Sequence, residues 1–385
     1  MFYISPVMDR TDALAALERR LRDGPVVMLL GPRQCGKTTL ARVLAAKRKA
    51  TYFDLEAPSA LGLMADPYTA LKDLRGLVII DEAQRQPGLF PVLRVLADRP
   101  RTPARFLLLG SASPELSRQS SESLAGRVAF LELGGFSISE VGPADANKLW
   151  IRGGFPRSFL ARSDADSMTR RLDFIQSFLE RDLAQLGFRI SPRVMGRFWT
   201  MLSHYHGQIW NASEIAASMG ISYHTANAYL DALEQTYMVR RVLPWYENVG
   251  KRIVKSPKIY FRDSGSFHAL QRIGTMHELM HHPKLGASWE GFVVEEVVRV
   301  LGLRDFYFYN VHSGSELDMF FLHGGKRIGV EVKREDAPRM TKSMHVALED
   351  LKLDKLRVVY PGPHRYKLAP KVECVPFAEI HDLLR

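Results

Sequence analysis

Apolar residues in this chain follow two rhythms. Through the first third, short strand-like runs recur at Pro25–Leu30, Thr51–Leu55, Gly76–Ile80, Arg105–Leu109 and Ala129–Leu133. Pro25–Leu30, apolar throughout, reads as a buried strand. Between the first two, Thr39–Ala46 has helical spacing. Further on, Asn211–Gly220 reads as a short capped helix, with Ser213 or Asn211 as the cap and Gly220 in the turn. In Tyr223–Glu234 the apolar residues Ala226, Tyr229, Leu230 and Leu233 fall three and four apart, which predicts a second helix. Tyr237–Leu243, Lys258–Phe261, Glu316–Leu322 and Arg327–Lys333 read as strands, and Trp289–Leu301 as a helix. Strands alternating with helices predict an α/β protein.

The first strand runs into Gly31-Pro32-Arg33-Gln34-Cys35-Gly36-Lys37-Thr38, followed by Thr39. This is a complete phosphate loop between a strand and a helix, the context such a loop requires. Its glycines let backbone N–H groups curl around a β-phosphate. Lys37 reaches the β- and γ-phosphates, and Thr38 offers a hydroxyl to Mg²⁺. ATP and Mg²⁺ are therefore the expected ligands.

Gly76–Ile80 closes on Asp81-Glu82, the Walker B arrangement, which places Asp81 in the Mg²⁺ shell and Glu82 beside the attacking water. The strand at Arg105–Leu109 ends near Ser111, which is either a γ-phosphate sensor or a plain serine of the turn. Arg127 follows a glycine turn. It is either an arginine that reaches a γ-phosphate on a neighbouring subunit or an ordinary surface arginine.

The two middle helices have helix-turn-helix punctuation, and the two strands after them flank a loop holding Lys251, Arg252 and Lys255. That is the outline of a winged helix. Tyr223, His224 and Asn227 would face a nucleic-acid groove while the basic loop lies on phosphates. The same outline also serves as a structural or protein-contact module.

Between the last two strands, Gly324-Gly325 is a two-residue hairpin signal. Counting outward from it sets Asp318 opposite Glu331, with Lys333 on the same face. Two opposed carboxylates repel unless a cation sits between them, so Asp318 and Glu331 are candidate Mg²⁺ ligands beside Lys333. This Asp318…Glu331-x-Lys333 arrangement resembles the restriction-endonuclease-like fold, including archaeal-type junction resolvases, and the resemblance implies a further glutamate on the preceding helix, Glu290 favoured over Glu295. The alternative is that Lys333 simply bridges the two acids in an inactive core.

Composition narrows the partners. The 385 residues carry a net charge of +11, which favours an acidic partner, nucleic acid first. Two cysteines suggest neither a disulfide framework nor a Cys-based metal site, so a reducing cytoplasm is expected. No apolar run approaches the ~18 residues of a membrane span, and no membrane partner is expected. His281-His282 and His204-x-His206 have no cysteine or acid at zinc spacing, so they read as packed or solvated residues.

GPRQCGKTT, VIIDEAQ, FLLLGSAS, ESLAGRV, GGFPRSFL and LERDL, in that order, resemble a prokaryotic family of AAA-type ATPases. Its members join the ATPase to a C-terminal domain with a PD-(D/E)xK restriction-endonuclease-like core. The resemblance implies ATP binding through Gly36, Lys37 and Thr38, Mg²⁺ handling through Asp81 and Glu82, and an intersubunit role for Arg127. The architecture expected is a P-loop AAA-type ATPase domain at 1–144, a helical and winged-helix domain at 145–265, and a restriction-endonuclease-like domain at 266–385. The loops between Gly265 and Pro283 read as the last linker. The function expected is a homo-oligomeric ATPase acting on DNA of branched, broken or duplex form, with a metal-dependent nuclease site at the C-terminus. The alternative is a nucleotide-gated switch that acts on protein partners.

Overall fold

The structure, a computed structural model, describes residues 8, 10–100, 104–111, 124–246, 254–311 and 314–385. Two compact units are present. One comprises the chain up to Gly135 together with Arg181–Arg189 and Gln235–Tyr237, and the remainder forms the other.

The first unit is built on β1 (Val26–Gly31), β2 (Ala50–Asp54), β3 (Gly76–Asp81), β4 (Ala104–Ser111) and β5 (Val128–Glu132). They form one sheet in the order β2-β3-β4-β1-β5, with every neighbouring pair parallel. All six residues of β1 are buried, as a strand flanked on both sides and covered on both faces must be. Val26, Met28, Val78, Ile80, Phe106 and Leu108 pack in one core with Phe90 and Leu93 of the helix Leu89–Ala97. In an open parallel sheet, ligands bind beyond the carboxyl ends of the strands, and here those ends carry the phosphate loop and Asp81.

The second unit holds β6 (Gln208–Ile209), β7 (Val239–Pro244), β8 (Lys258–Phe261), β9 (Tyr307–Asn310), β10 (Glu316–His323), β11 (Lys326–Val332), β12 (Lys355–Tyr360), β13 (Tyr366–Ala369) and β14 (Val372–Pro376). They make a single sheet in the order β13-β14-β12-β11-β10-β9-β7-β8-β6. The stretches 145–265 and 266–385, divided in the sequence reading, therefore share one sheet. Leu243 and Pro244 of β7 pair in parallel with Tyr307 and Phe308 of β9, and this joins them.

The linker expected between Gly265 and Pro283 is corrected. Ser264–Leu270 and Met276–Met280 are helices, and Gly265 through Ala269 are buried. Asp263 caps the first, accepting from the backbone of Ser266 and of Gly154, both at 2.7 Å. Gly265 is there for closeness and not for freedom: a Cβ on it would lie 2.1 Å from the Arg152 carbonyl oxygen.

The middle helices fold as Ala212–Met219 and Tyr223–Gln235, with Gly220 left-handed between them. Asn211 is the cap of the first, its Oδ1 accepting from Glu214 N. Ala226, Leu230 and Leu233 are buried, and Tyr229 meets Phe198 edge-on. His206 is packed in the core. It stacks on Phe267 at 4.3 Å, and its Nδ1 accepts the Phe261 N–H at 3.0 Å.

Candidate functional site

The phosphate loop leaves β1 through Gly31, where a Cβ would sit 2.1 Å from the Leu133 carbonyl oxygen, so no larger residue fits. Gln34 and Gly36 hold φ at 63° and 101°, which turns successive backbone groups inward before the helix Lys37–Lys47 begins. Lys37 is buried and folds back to donate to the carbonyl oxygens of Pro32 at 2.8 Å and Gly31 at 3.0 Å. Cys35 is buried and its carbonyl accepts from Arg10 at 3.0 Å, while Thr39 is exposed on the first helical turn.

Thr38 Oγ1 donates to Asp81 Oδ2 at 2.9 Å, and the Tyr52 hydroxyl donates to the same oxygen at 2.6 Å. Burial, and then the Asp81 contact, raises the Tyr52 hydroxyl's pKa, so it stays a donor. A hydroxyl and a carboxylate in contact beside the loop suit a Mg²⁺ ion that keeps several waters and bridges to a triphosphate. Glu82 comes next, left-handed at φ 53°, with its carboxylate held by the Gln84 amide. Burial raises its pKa, with Arg33 pulling the other way, which moves it toward the range a general base needs.

Arg33 lies 2.5 Å from Asp182, whose side chain is fully buried and also takes Arg181 at 3.1 Å. Sequence reading missed Asp182. It ends a short π-helical turn at Phe178–Asp182, an irregularity that recurs at functional sites. Ser111 ends β4, and its side chain lies outside the described residues. Arg127 opens β5 beside the start of β1, because Val26 pairs with Val128. It therefore sits at the opposite end of the sheet from the phosphate loop, bound to both oxygens of Asp98 at 2.6 and 2.9 Å.

The second cluster is built on the β10–β11 hairpin. Gly324 and Gly325 at φ 56° and 75° make the turn, and the register runs from His323↔Lys326 to Met319↔Val330. One step further brings Asp318 opposite Glu331. Both are buried, and burial raises both carboxyls' pKa values. Asp318 Oδ2 accepts the Val332 N–H at 2.8 Å, Lys333 Nζ lies 2.6 Å from Glu331 Oε1, and Glu331 Oε2 has no partner.

Glu290 is carried in by the helix Leu285–Leu301, which Trp289 ties to the hairpin through the Lys333 carbonyl at 3.0 Å. Its carboxylate joins those of Asp318 and Glu316, which sequence reading missed, all within 4.8 Å of one another. Glu295 points elsewhere and pairs with Arg240 at 2.6 Å and Arg262 at 3.8 Å. Two further residues were missed. Tyr260 donates to Glu290 at 2.5 Å, and the Lys258 ammonium lies among the three carboxylates. Asp318 and Glu331, the expected Mg²⁺ ligands, are thus brought together with Lys333, and each acid also faces a lysine.

Over 374 residues the chain is 50% identical to the uncharacterized protein Rv2008c of Mycobacterium tuberculosis and to Mb2031c of Mycobacterium bovis, covering 97% of this chain and 85% of each relative. The chain belongs to the family of these mycobacterial proteins. Residues 23–142 match a family described as an AAA domain, which agrees with the P-loop and the parallel sheet. Residues 143–277 and 285–380 match two domains of unknown function, DUF8612 and DUF4143. Among solved structures, the Walker-type ATPase PABY2304 of Pyrococcus abyssi is similar over 69% of this chain and 96% of its own, at 18% identity and a TM-score of 0.49.

Of the residues expected to face nucleic acid, Tyr223 is 53% exposed and His224 and Lys255 are also exposed. Asn227 is committed inward, accepting from Trp210 Nε1 at 3.0 Å and donating to the Tyr223 carbonyl. Lys251 and Arg252 lie outside the described residues. Among the described residues no helix is long and apolar enough to cross a membrane.

Proposed function

We propose that this family member is a Mg²⁺-dependent ATPase that acts on DNA as a homo-oligomer in the reducing cytoplasm. The contact of Thr38 with Asp81, with Glu82 beside it, carries the hydrolytic part of the reading. Bound Mg²⁺ would neutralise charge on the β- and γ-phosphates. Thr38 and Asp81 would hold it, Lys37 would move from the loop carbonyls onto the phosphates, and Glu82 would take the proton of the attacking water. Arg127 is too far along the sheet to serve its own subunit, so its phosphate contact would be made on a neighbour.

DNA as the partner is supported by the net charge of +11, by exposed Tyr223 and His224 at the start of a helix, and by Lys255 in the adjoining loop. On this reading residues 145–265 carry a winged helix, and residues 266–385 a restriction-endonuclease-like core centred on Asp318, Glu331, Lys333 and Glu290. A second reading is a nucleotide-gated switch on protein partners, with that core used for binding. The lysine pairing of both central carboxylates favours it.

ATPase rate measured with single-stranded, duplex and four-way DNA across a salt series separates the two. DNA stimulation that weakens steeply with salt supports the first reading, and replacing Lys251, Arg252 and Lys255 by Ala should flatten the slope. No binding of any DNA form at low salt leaves the switch. Loss of ATP binding in Lys37→Ala is required by both.

A further inference from the structure

A nuclease-type core needs a divalent cation among its carboxylates, and this deepening of the nuclease reading rests on taking the Asp318 cluster as that core. Its centre is already filled. Lys258 Nζ is 3.2 Å from Glu290 Oε1 and 3.7 Å from Asp318 Oδ1, and it pairs with Glu316 Oε1. An ammonium has three donors and no acceptor, and here it has Glu290 within hydrogen-bond reach and Asp318 within ion-pair range. Lys258 is 2% exposed, which forbids it from simply swinging into water.

Two of the cluster's oxygens take a further donor, while Glu331 Oε2 has none. Tyr260, two residues along β8, donates to Glu290 Oε1, and the Val332 N–H fills Asp318 Oδ2. Mg²⁺ demands oxygen ligands at roughly 2.0–2.1 Å in near-octahedral array. An ion that close to Glu290, Glu316 and Asp318 would have to stand where the ammonium stands. The donor chemistry suits a hard cation, but the residues present do not fit a resident one.

We propose that Lys258 is the resident cation of this cluster, and that the carboxylates take a divalent ion only once its ammonium is removed. Glu290, Glu316 and Asp318 surround the buried ammonium with negative charge. The site is then latent: formed in outline, and closed by a side chain from a strand that belongs to the middle of the chain.

The test is Mn²⁺ binding to the nucleotide-free full chain, read from the loss of the free-ion paramagnetic resonance signal. Wild type and Asp318→Asn should bind equal numbers of ions. Lys258→Met should gain one additional site, at least tenfold tighter than any Asp318-dependent binding in wild type, and adding Asp318→Asn should remove it. A wild-type site that Asp318→Asn abolishes overturns the proposal, as does a folded Lys258→Met chain with no extra site. Should Lys258→Met fail to fold, thermal unfolding of wild type with Mn²⁺ decides. Stabilisation that disappears in Asp318→Asn overturns the proposal, and equal response of the two proteins upholds it. Plasmid nicking by the same samples addresses the nuclease reading separately. A Lys258→Met protein that gains the ion and does not cut keeps the lysine proposal and removes the nuclease one.

Discussion

Arg33 Nη1 lies 2.5 Å from Asp182 Oδ1, tying the third residue of the phosphate loop to a fully buried carboxylate far along the chain. Removing one partner of a buried pair strands the other charge, at a cost of roughly 3–5 kcal/mol. Arg33→Ala leaves Asp182 its second partner, Arg181, so it should lower the urea midpoint by less than that full cost, and Asp182→Ala should lower it as well. Arg33→Ala/Asp182→Ala should lose less than the sum of the two single changes, because each removes the other's stranded charge. Additive losses would show that the pair contributes no coupling.

Glu82 is the residue on which hydrolysis turns. Glu82→Gln should lower kcat by roughly 100-fold or more, the usual worth of a general base, while ATP binding survives. Because burial raises the Glu82 carboxyl, the wild-type rate should climb with pH through that raised value, since the base works ionised. A rate that falls as pH rises, with Glu82→Gln unaffected, would assign the proton to another group.

Arg127 makes its contact with Asp98 in the open, so Arg127→Ala should leave the unfolding temperature nearly unchanged. Its ATP turnover should nonetheless drop. Mixing Arg127→Ala with Glu82→Gln chains should restore part of the rate, since each supplies what the other lacks across an interface. No recovery at any mixing ratio or protein concentration would confine Arg127 to its ion pair.

Two buried histidines make the second unit's stability sensitive to acid. Burial holds the imidazoles of His206 and His268 down to about 3, against 6.5 when unfolded. Their contribution is whole above pH 6.5 and is lost as pH falls toward 3, because the unfolded chain takes up protons that the folded one refuses. Glu296, raised to about 7 by burial, acts in the opposite sense. Its proton stabilises the fold up to its ordinary 4.5, and that contribution fades as pH rises to 7. Asp318 and Glu331, whose carboxyls burial also raises, act in the same sense as Glu296, so the histidine contribution shows in a comparison of variants. Relative to wild type, His206→Gln should lose less urea midpoint between pH 7.5 and pH 5.5, and an identical pH dependence in the two proteins would contradict the assignment.

What the sequence discloses here depends on whether contacts are local. Gly31 to Thr38 is a contiguous turn, so its geometry follows from its own residues. The β10–β11 register follows from Gly324-Gly325, because a two-residue turn fixes every pair beyond it. Lys258 escaped because it reaches the cluster from a strand far away in sequence, where no spacing rule applies, whereas Glu316, two residues before Asp318, lay within the same period-two rule that placed Lys333. Glu295 and Glu290 share a helix, and only the arginines packed against Glu295 tell them apart. Gly265 misled in the other direction, since a glycine needed for close packing looks in sequence like a glycine needed for freedom.

The join of β7 to β9 sets a timetable. Roughly 60 residues separate the end of one strand from the start of the other. At synthesis rates of about 5–20 residues per second, β7 must wait on the order of 3–12 s for its partner to emerge. Throughout that wait its edge carries unpaired N–H and C=O groups, open to any other extended chain nearby. A ribosome-bound holdase, or slow growth at low temperature, should therefore decide how much of this protein reaches its folded state. A chain ended at residue 265 would keep that edge exposed for life.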